Sequence, residues 1–183
     1  MTRSEALNSV RANVANGNLI KHMLATEAIM RALAKRFGED EEEWGLTGLL
    51  HDIDVELTQE NPVEHSKLGA SLAGELGASD KVCHAILCHN YVHGIRCETM
   101  LDKVLICVDP LTGLITAGAL VRPDKKLAGL TVDSLIKRFG EKRFAAGASR
   151  EQIALCKEIG IGLDEFIGIG LESIKGIAKE LGL

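Results

Sequence analysis

Four histidines and two aspartates in the first two thirds of the chain have the chemistry of metal ligands. The most distinctive pair, His51 and Asp52, directly follows an apolar run. Adjacent side chains on a helix point about 100° apart, so the pair rarely serves one purpose unless the backbone turns and both reach one metal ion. A core histidine followed by an N-capping aspartate is the structural alternative. The remaining members of the set are His22, His65, His89 and Asp109.

Helical periodicity predicts that these residues point inward. His22 lies in a predicted helix over residues 19–36, on the apolar stripe of Leu19, Ala25, Ile29 and Leu33. His65 is expected on a helix that begins at Pro62, and His89 on one that begins after Ser79. Asp109 falls within a long apolar helix from about Thr99 to Val121. Because a buried carboxylate without a partner costs several kcal/mol, a cation or a metal is expected beside it.

Taken in order, these residues resemble the pattern of the HD superfamily of metal-dependent phosphohydrolases. That pattern is a histidine, a His-Asp pair and a distant aspartate, which His22, His51-Asp52 and Asp109 match. His65 and His89 are similar to the additional histidines of members with two metals. The resemblance covers about residues 18–120 and is of the His-Asp-Ile-Gly type found in small single-domain bacterial or archaeal chains.

The chain departs from this pattern at two positions. Asp54 stands where many members have glycine in His-Asp-Ile-Gly. Asn90 stands where the HD-GYP branch, which cleaves cyclic dinucleotides, has a second histidine, and no Gly-Tyr-Pro follows. Both features at Asn90 argue against that branch.

The resemblance implies a metal centre built on Asp52. Asp52 would bridge two ions and act as the catalytic anchor, with His22, His51 and Asp109 completing one ion and His65 and His89 the other. Nitrogen and oxygen donors without a thiolate suit one or two divalent transition-metal ions, namely iron, manganese, zinc, cobalt or nickel. Since paired ions lie about 4 Å apart, the two-metal form requires His65 and His89 within about 8 Å of Asp52.

The expected activity is hydrolysis of a small phosphate ester or nucleotide by a metal-activated water. Two alternatives remain open: a di-iron oxygenase, which some superfamily members with the same six ligands are, and a catalytically degenerate ligand-binding protein. Candidate substrate contacts are Asn90, beside His89, and the basic residues after the Asp109 helix, which are Arg122, Lys125 and Lys126.

Composition predicts an all-α fold in a single domain over residues 1–183. Hydrophobic residues make up 46% of the chain but aromatic residues only 3%, so the usual strand signals are weak. Three prolines leave long segments uninterrupted. We expect roughly eight to ten helices, as an HD-domain helical bundle with a C-terminal helical extension over about residues 122–183. Two Gly-Ile-Gly triplets, 160–162 and 168–170, are interpreted as helix-packing sites and not as a nucleotide loop.

Charge and targeting signals bound the partners. The net charge of -5 argues against general nucleic-acid binding. A local basic excess between residues 122 and 157 suits either a small anionic, phosphate-containing substrate or a solvated basic helix face. No export signal precedes the first helix, and the apolar run from Val104 to Val121 contains Asp109 and Pro110, so a cytoplasmic protein without a membrane span is expected. The sequence is compatible with a monomer or a homodimer.

Overall fold

The computed structural model describes all 183 residues, which form ten α-helices and no strands. Two short 3₁₀ turns, Tyr91–His93 and Leu155–Lys157, accompany them. In chain order the helices are α1 (Arg3–Asn13), α2 (Gly17–Phe37), α3 (Glu41–Leu50), α4 (Lys67–Glu75), α5 (Asp80–His89), α6 (Met100–Leu120), α7 (Val132–Phe139), α8 (Arg150–Ala154), α9 (Leu163–Gly176) and α10 (Ala178–Leu181). The predicted fold class and helix number are confirmed.

Polar caps set the boundaries of the helices that carry the site. Asp40 caps α3, where its Oδ1 accepts the backbone N–H of Glu42 at 2.8 Å and of Glu43 at 3.0 Å. Thr99 and Asp102 form a reciprocal capping box at the start of α6. Such side chains satisfy N–H groups that have no partner within the helix, so each fixes where its helix begins.

Helices α2 and α3 pack closely because a glycine lies between them. A Cβ built on Gly48 would lie 2.8 Å from the backbone nitrogen of Glu27 and 2.9 Å from its Cα. The two backbones are therefore nearly in contact, which only glycine permits. Because α3 ends just after Gly48, this contact fixes the position of His51 relative to α2.

The C-terminal helices pack on the same apolar core as the earlier ones. Helix α9 contacts both α2 and α6, and its Phe166 and Ile167 belong to the main cluster of 40 buried residues. A Cβ on Gly170 would lie 2.7 Å from the Leu111 side chain of α6. The interpretation of the second glycine triplet as a packing site is therefore confirmed at Gly170, within one chain.

Helix α6 is long and apolar enough to cross a membrane, judged by length and composition alone. In the fold it lies at the centre, with 61% of its most apolar stretch buried against protein. It contacts α2, α5, α7, α8 and α9. These are the surroundings of a core helix.

One predicted element is wrong in a way that matters for the site. The helix expected to begin at Pro62 begins only at Lys67, so His65 lies in the preceding turn. The reason is Asp54, whose Oδ2 accepts the backbone N–H of Ser66 at 2.8 Å and of Gly69 at 2.9 Å. This bonding holds Ser66 at a φ of 73°, which ends the turn and is incompatible with a helix running through it.

Candidate metal centre

The six predicted ligands converge on one place from five segments of the chain. His22 comes from the second turn of α2, and His51 and Asp52 from the C-terminal end of α3. His65 comes from the turn before α4, His89 is the last residue of α5, and Asp109 lies midway along α6. The predicted separation is satisfied, because the Nε2 atoms of His65 and His89 each lie 3.4 Å from Asp52 Oδ1.

The two oxygens of Asp52 face different pairs of histidines. Oδ2 lies 3.6 Å from His22 Nε2 and 3.5 Å from His51 Nε2. Oδ1 faces the Nε2 atoms of His65 and His89. His51, Asp52 and His89 also offer ligand atoms within 4.8 Å of one another, so His51 stands between the two halves. This arrangement suits a carboxylate that bridges two cations.

On the Oδ2 side, three ligand atoms lie at the spacing of a coordination polyhedron. His22 Nε2 is 3.1 Å from His51 Nε2 and 3.1 Å from Asp109 Oδ1. Two metal–nitrogen bonds of about 2.1 Å at a right angle place their nitrogens about 3 Å apart. Two imidazole nitrogens that face each other at this distance need a proton or a metal ion between them.

The second ring nitrogen of each histidine is bonded to an oxygen, which is the usual outer shell of a metal-binding histidine. His51 Nδ1 lies 2.9 Å from the Gly48 carbonyl, and His89 Nδ1 lies 2.6 Å from that of Ile86. His22 Nδ1 lies 2.8 Å from Thr112 Oγ1. The hydroxyl of Thr112 donates its hydrogen bond to the Asp109 carbonyl, so Thr112 Oγ1 accepts the N–H of His22. The bonds leave every Nε2 lone pair free for a metal, and the residues present therefore fit metal binding.

Asp54 completes this outer shell, and the sequence analysis did not identify its role. It is fully buried, and its Oδ1 lies 3.0 Å from His65 Nδ1. A carboxylate that accepts this N–H fixes the ring orientation and makes Nε2 a better donor. The signal available in the sequence was the acidic residue itself, standing where glycine is usual, two positions after Asp52.

The electrostatics of the six residues favour a cation at the centre. Burial opposes ionisation of Asp52 and Asp109, but the surrounding histidines outweigh it and hold the pKa of both carboxyls below its usual value. Burial also opposes protonation of His22 and His89, yet their contacts with Asp109 and Asp52 raise the pKa of both rings. Burial lowers the pKa of His51. Two ionised carboxylates thus attract positive charge to neighbouring imidazoles.

One side of the centre is open. Asp109 retains 32% of its side-chain exposure and His22 23%, whereas His51 has none. A cavity of about 350 Å³ is lined by His22 and Thr112. Its other lining residues are Asn18, Lys21, Gly113, Thr116, Leu120, Leu181 and Leu183. Among the six predicted ligands only His22 lines this cavity, so a small molecule bound in it would meet the centre at His22.

The predicted substrate contacts lie in different places. Asn90 donates its amide N–H to the His65 carbonyl at 3.2 Å, so it supports the turn that carries a ligand. Arg122 pairs with Asp124 and with the Gly129 carbonyl. Lys126 Nζ donates to the Gly182 carbonyl at 3.3 Å, between two residues that line the cavity.

The sequence analysis missed Lys21, which lines the cavity itself and is the residue before His22. Two further histidines, His84 and His93, lie outside the six-residue set. His93 Nε2 donates to the His65 carbonyl at 2.7 Å, which gives that turn a second support. His84 contacts Asp102, with its Nδ1 3.1 Å from Asp102 Oδ2.

A family model described as the HD domain matches residues 19–132. The chain belongs to the HD domain family. The HD domain family is one of metal-dependent phosphohydrolases, and the centre described above contains the histidine, the His-Asp pair and the distant aspartate that define it.

Curated relatives of this HD domain chain include several proteins named Ribonuclease Y. That of Sulfurovum sp. is 28% identical over 138 residues, which are 73% of this chain and 26% of that protein. That of Pelobacter propionicus is 33% identical over 96 residues, 52% of this chain and 18% of that protein. The chain therefore spans about a quarter or less of the length of these relatives. No solved structure matches it.

Proposed function

We propose that this HD domain chain is a metal-dependent phosphohydrolase that acts on a small phosphate ester or nucleotide. The observation that carries the proposal is the division of Asp52 between two pairs of histidines, with Oδ1 facing His65 and His89 and Oδ2 facing His22 and His51. When bound, paired divalent ions lower the pKa of a water and neutralise the charge of a phosphate.

The residues of the chain have separate tasks in this reaction. Asp52 holds both halves of the centre together and is its electrostatic anchor, as expected for the catalytic position. Asp54 and the backbone carbonyls of Gly48 and Ile86 keep the rings of three histidines oriented. Because each ring donates a hydrogen bond from Nδ1–H to an oxygen, the lone pair of Nε2 remains free to bind a metal.

Two cations near the cavity suit an anionic substrate. Lys21 lines it, and Lys126 lies at its rim through the bond to the Gly182 carbonyl. The volume of about 350 Å³ is at the lower end of the range for small-molecule sites. We therefore favour a nucleotide or smaller ester that places its phosphate toward His22.

RNA is the second candidate substrate, because the curated relatives are named Ribonuclease Y. The net charge of -5 and the small cavity argue against a long nucleic acid. A short single-stranded oligoribonucleotide should therefore be cleaved much more slowly than the best small ester. The reverse order of rates would make RNA the substrate.

The test is an anaerobic assay of phosphate release. Protein stripped with a chelator is given Mn²⁺, Co²⁺ or Ni²⁺ and a panel of nucleotides and phosphomonoesters. We expect metal-dependent turnover that Asp52→Asn abolishes and Asp124→Asn, the same change at an exposed carboxylate, leaves intact. Lys21→Ala should raise KM more than it lowers kcat.

The alternative activities give different results. An oxygenase would release no phosphate, yet protein made in iron-rich medium would give a coupled di-iron electron paramagnetic resonance signal and consume oxygen. A ligand-binding protein would be thermally stabilised by a panel member without turnover. Either result would remove the hydrolase proposal.

A further inference from the structure

A second group of histidine, cysteine and aspartate side chains lies beside α5, outside the six-residue centre. His84 and Cys88 are one helical turn apart on that helix, and Asp102 lies in the first turn of α6. Ligand atoms of these three residues lie within 4.8 Å of one another. Cys97, from the segment between the helices, places its Sγ 3.5 Å from that of Cys88. We call these four residues the sulfur cluster.

The sulfur–sulfur distance suits coordination better than a disulfide. A disulfide bond is about 2.05 Å long, so 3.5 Å is far outside it. Two thiolates bound to one zinc ion at about 2.3 Å in a tetrahedron lie about 3.8 Å apart. His84 Nδ1 and Asp102 Oδ2 lie 3.1 Å apart, which is also near the edge of such a tetrahedron.

A buried oxygen of Asp102 points independently to a missing partner. The side chain of Asp102 has no solvent exposure, and its Oδ1 is the one buried side-chain oxygen or nitrogen in the protein without a hydrogen bond. Its Oδ2 accepts the backbone N–H groups of Glu98 at 2.9 Å and Thr99 at 2.8 Å. The capping role of Asp102 therefore explains one oxygen only. A buried carboxylate oxygen with no donor is costly, and a cation would satisfy it.

We propose that His84, Cys88, Cys97 and Asp102 bind one zinc ion, separate from the six-residue centre. Four protein ligands with two sulfurs are the donor set of a closed, structural zinc site. On binding, each thiol releases its proton to solvent, and the imidazole and the carboxylate bind in their deprotonated forms. The half-exposed His84 and Cys97 give the ion a way in.

The ion would join the C-terminal half of α5 to the start of α6. Between Cys88 and Cys97 the chain has only a 3₁₀ turn and irregular backbone, and it contains Asn90 and His93, which support the turn of His65. A zinc ion at the sulfur cluster would therefore also steady the segment that positions one half of the catalytic centre.

Cobalt distinguishes the two centres, because only the sulfur cluster contains thiolates. Chelator-stripped full-length protein, kept reduced, is titrated with Co²⁺ alone and followed by absorption. We expect a sulfur-to-cobalt charge-transfer band in the near ultraviolet whose intensity at saturation corresponds to one thiolate-bound cobalt ion per chain, whatever amount of Co²⁺ the six-residue centre also binds. Zn²⁺ should displace it, since zinc has the higher affinity for thiolates.

Single variants assign the band. Cys88→Ser and Cys97→Ser should each reduce the intensity of the charge-transfer band by half or more. The control is Cys83→Ser, at the residue before His84 on the same helix, which should leave the band unchanged. Because Cys97 is only partly buried, its variant is expected to fold, which circular dichroism checks. Zn²⁺ should raise the Tm of wild type more than that of Cys97→Ser. No charge-transfer band in folded, reduced wild type, or a full band in the double variant of Cys88 and Cys97, would overturn the proposal.

Discussion

Asp54→Asn tests how the second half of the centre is held together. The carboxylate of Asp54 serves three donors: His65 Nδ1 at 3.0 Å, and the backbone N–H groups of Ser66 and Gly69 at 2.8 and 2.9 Å. An amide has one oxygen, so it cannot serve both sides. Its NH₂ group must face either the ring of His65 or the two backbone donors.

Each orientation of the new amide has a definable cost. If NH₂ faces His65, the ring must accept at Nδ1, its proton moves to Nε2, and the metal loses that ligand. If NH₂ faces the backbone, the N–H groups of Ser66 and Gly69 lose their acceptor. One hydrogen bond to a charged group contributes about 1.5–3 kcal/mol. Outer-shell changes lower metal affinity about 10–100-fold, which is about 1.4–2.8 kcal/mol and agrees with that range.

The assay is metal content together with affinity. Protein is equilibrated with Mn²⁺, the bound ions are counted by elemental analysis, and stepwise binding is followed calorimetrically. We expect the second binding step to weaken about 10–100-fold while the first, which uses His22, His51 and Asp109, changes little. Asp124→Asn is the matched control because its carboxylate is exposed and pairs only with surface groups. Wild-type affinity for both ions in a folded Asp54→Asn protein would refute the orienting role, and equal loss of both would indicate general disruption.

Three further predictions concern the same centre. His65→Ala should lose one of two bound ions and Asp52→Ala both, measured by elemental analysis; equal metal content in wild type and Asp52→Ala would show that the site is elsewhere. Metal affinity should fall on acidification, and the fall should start above the ordinary histidine pKa of about 6.5. The reason is that the pKa values of His22 and His89 are raised and both rings must lose their protons to bind a metal. Calorimetry at stepped pH would contradict this if the loss of affinity began only below about pH 6.5. Gly48→Ala should destabilise the fold by about 1–3 kcal/mol, because the new Cβ would lie 2.8 Å from the α2 backbone. It should also lower the affinity for the ion held by His51. A urea unfolding curve that matches that of wild type would contradict the close contact.

Helical periodicity predicted most of the elements, because apolar spacing and capping residues are local signals. Helix α2 was expected over residues 19–36 and covers Gly17–Phe37, and α6 was expected from about Thr99 and begins at Met100. The boundaries of α4 could not be found in this way. They depend on Asp54, which lies 12 residues before Ser66 in sequence and reaches its N–H through the tertiary fold.

The ligand set could be predicted because it follows a known order of residue types, whereas the outer shell could not. The partners of His51 and His89 are backbone carbonyls three residues earlier, which any residue offers. The sulfur cluster was missed for a related reason. Its cysteines form no Cys-x-x-Cys pair, and Asp102 lies in the first turn of a helix, where an acidic residue is common. The i, i+4 spacing of His84 and Cys88 on one helix face was the available signal.

The way in which the centre is built explains why its two halves should differ in stability. On the Oδ2 side, His22 and Asp109 project from the interiors of the long helices α2 and α6, which pack against each other in the core. On the Oδ1 side, His89 is the last residue of α5. His65 lies in a turn that is held mainly by its hydrogen bonds with Asp54, Asn90 and His93. Hydrogen bonds of turns open at lower free energy than packed helices do. The first ion should therefore bind a site that the fold has already formed, whereas binding of the second should also order the turn of His65.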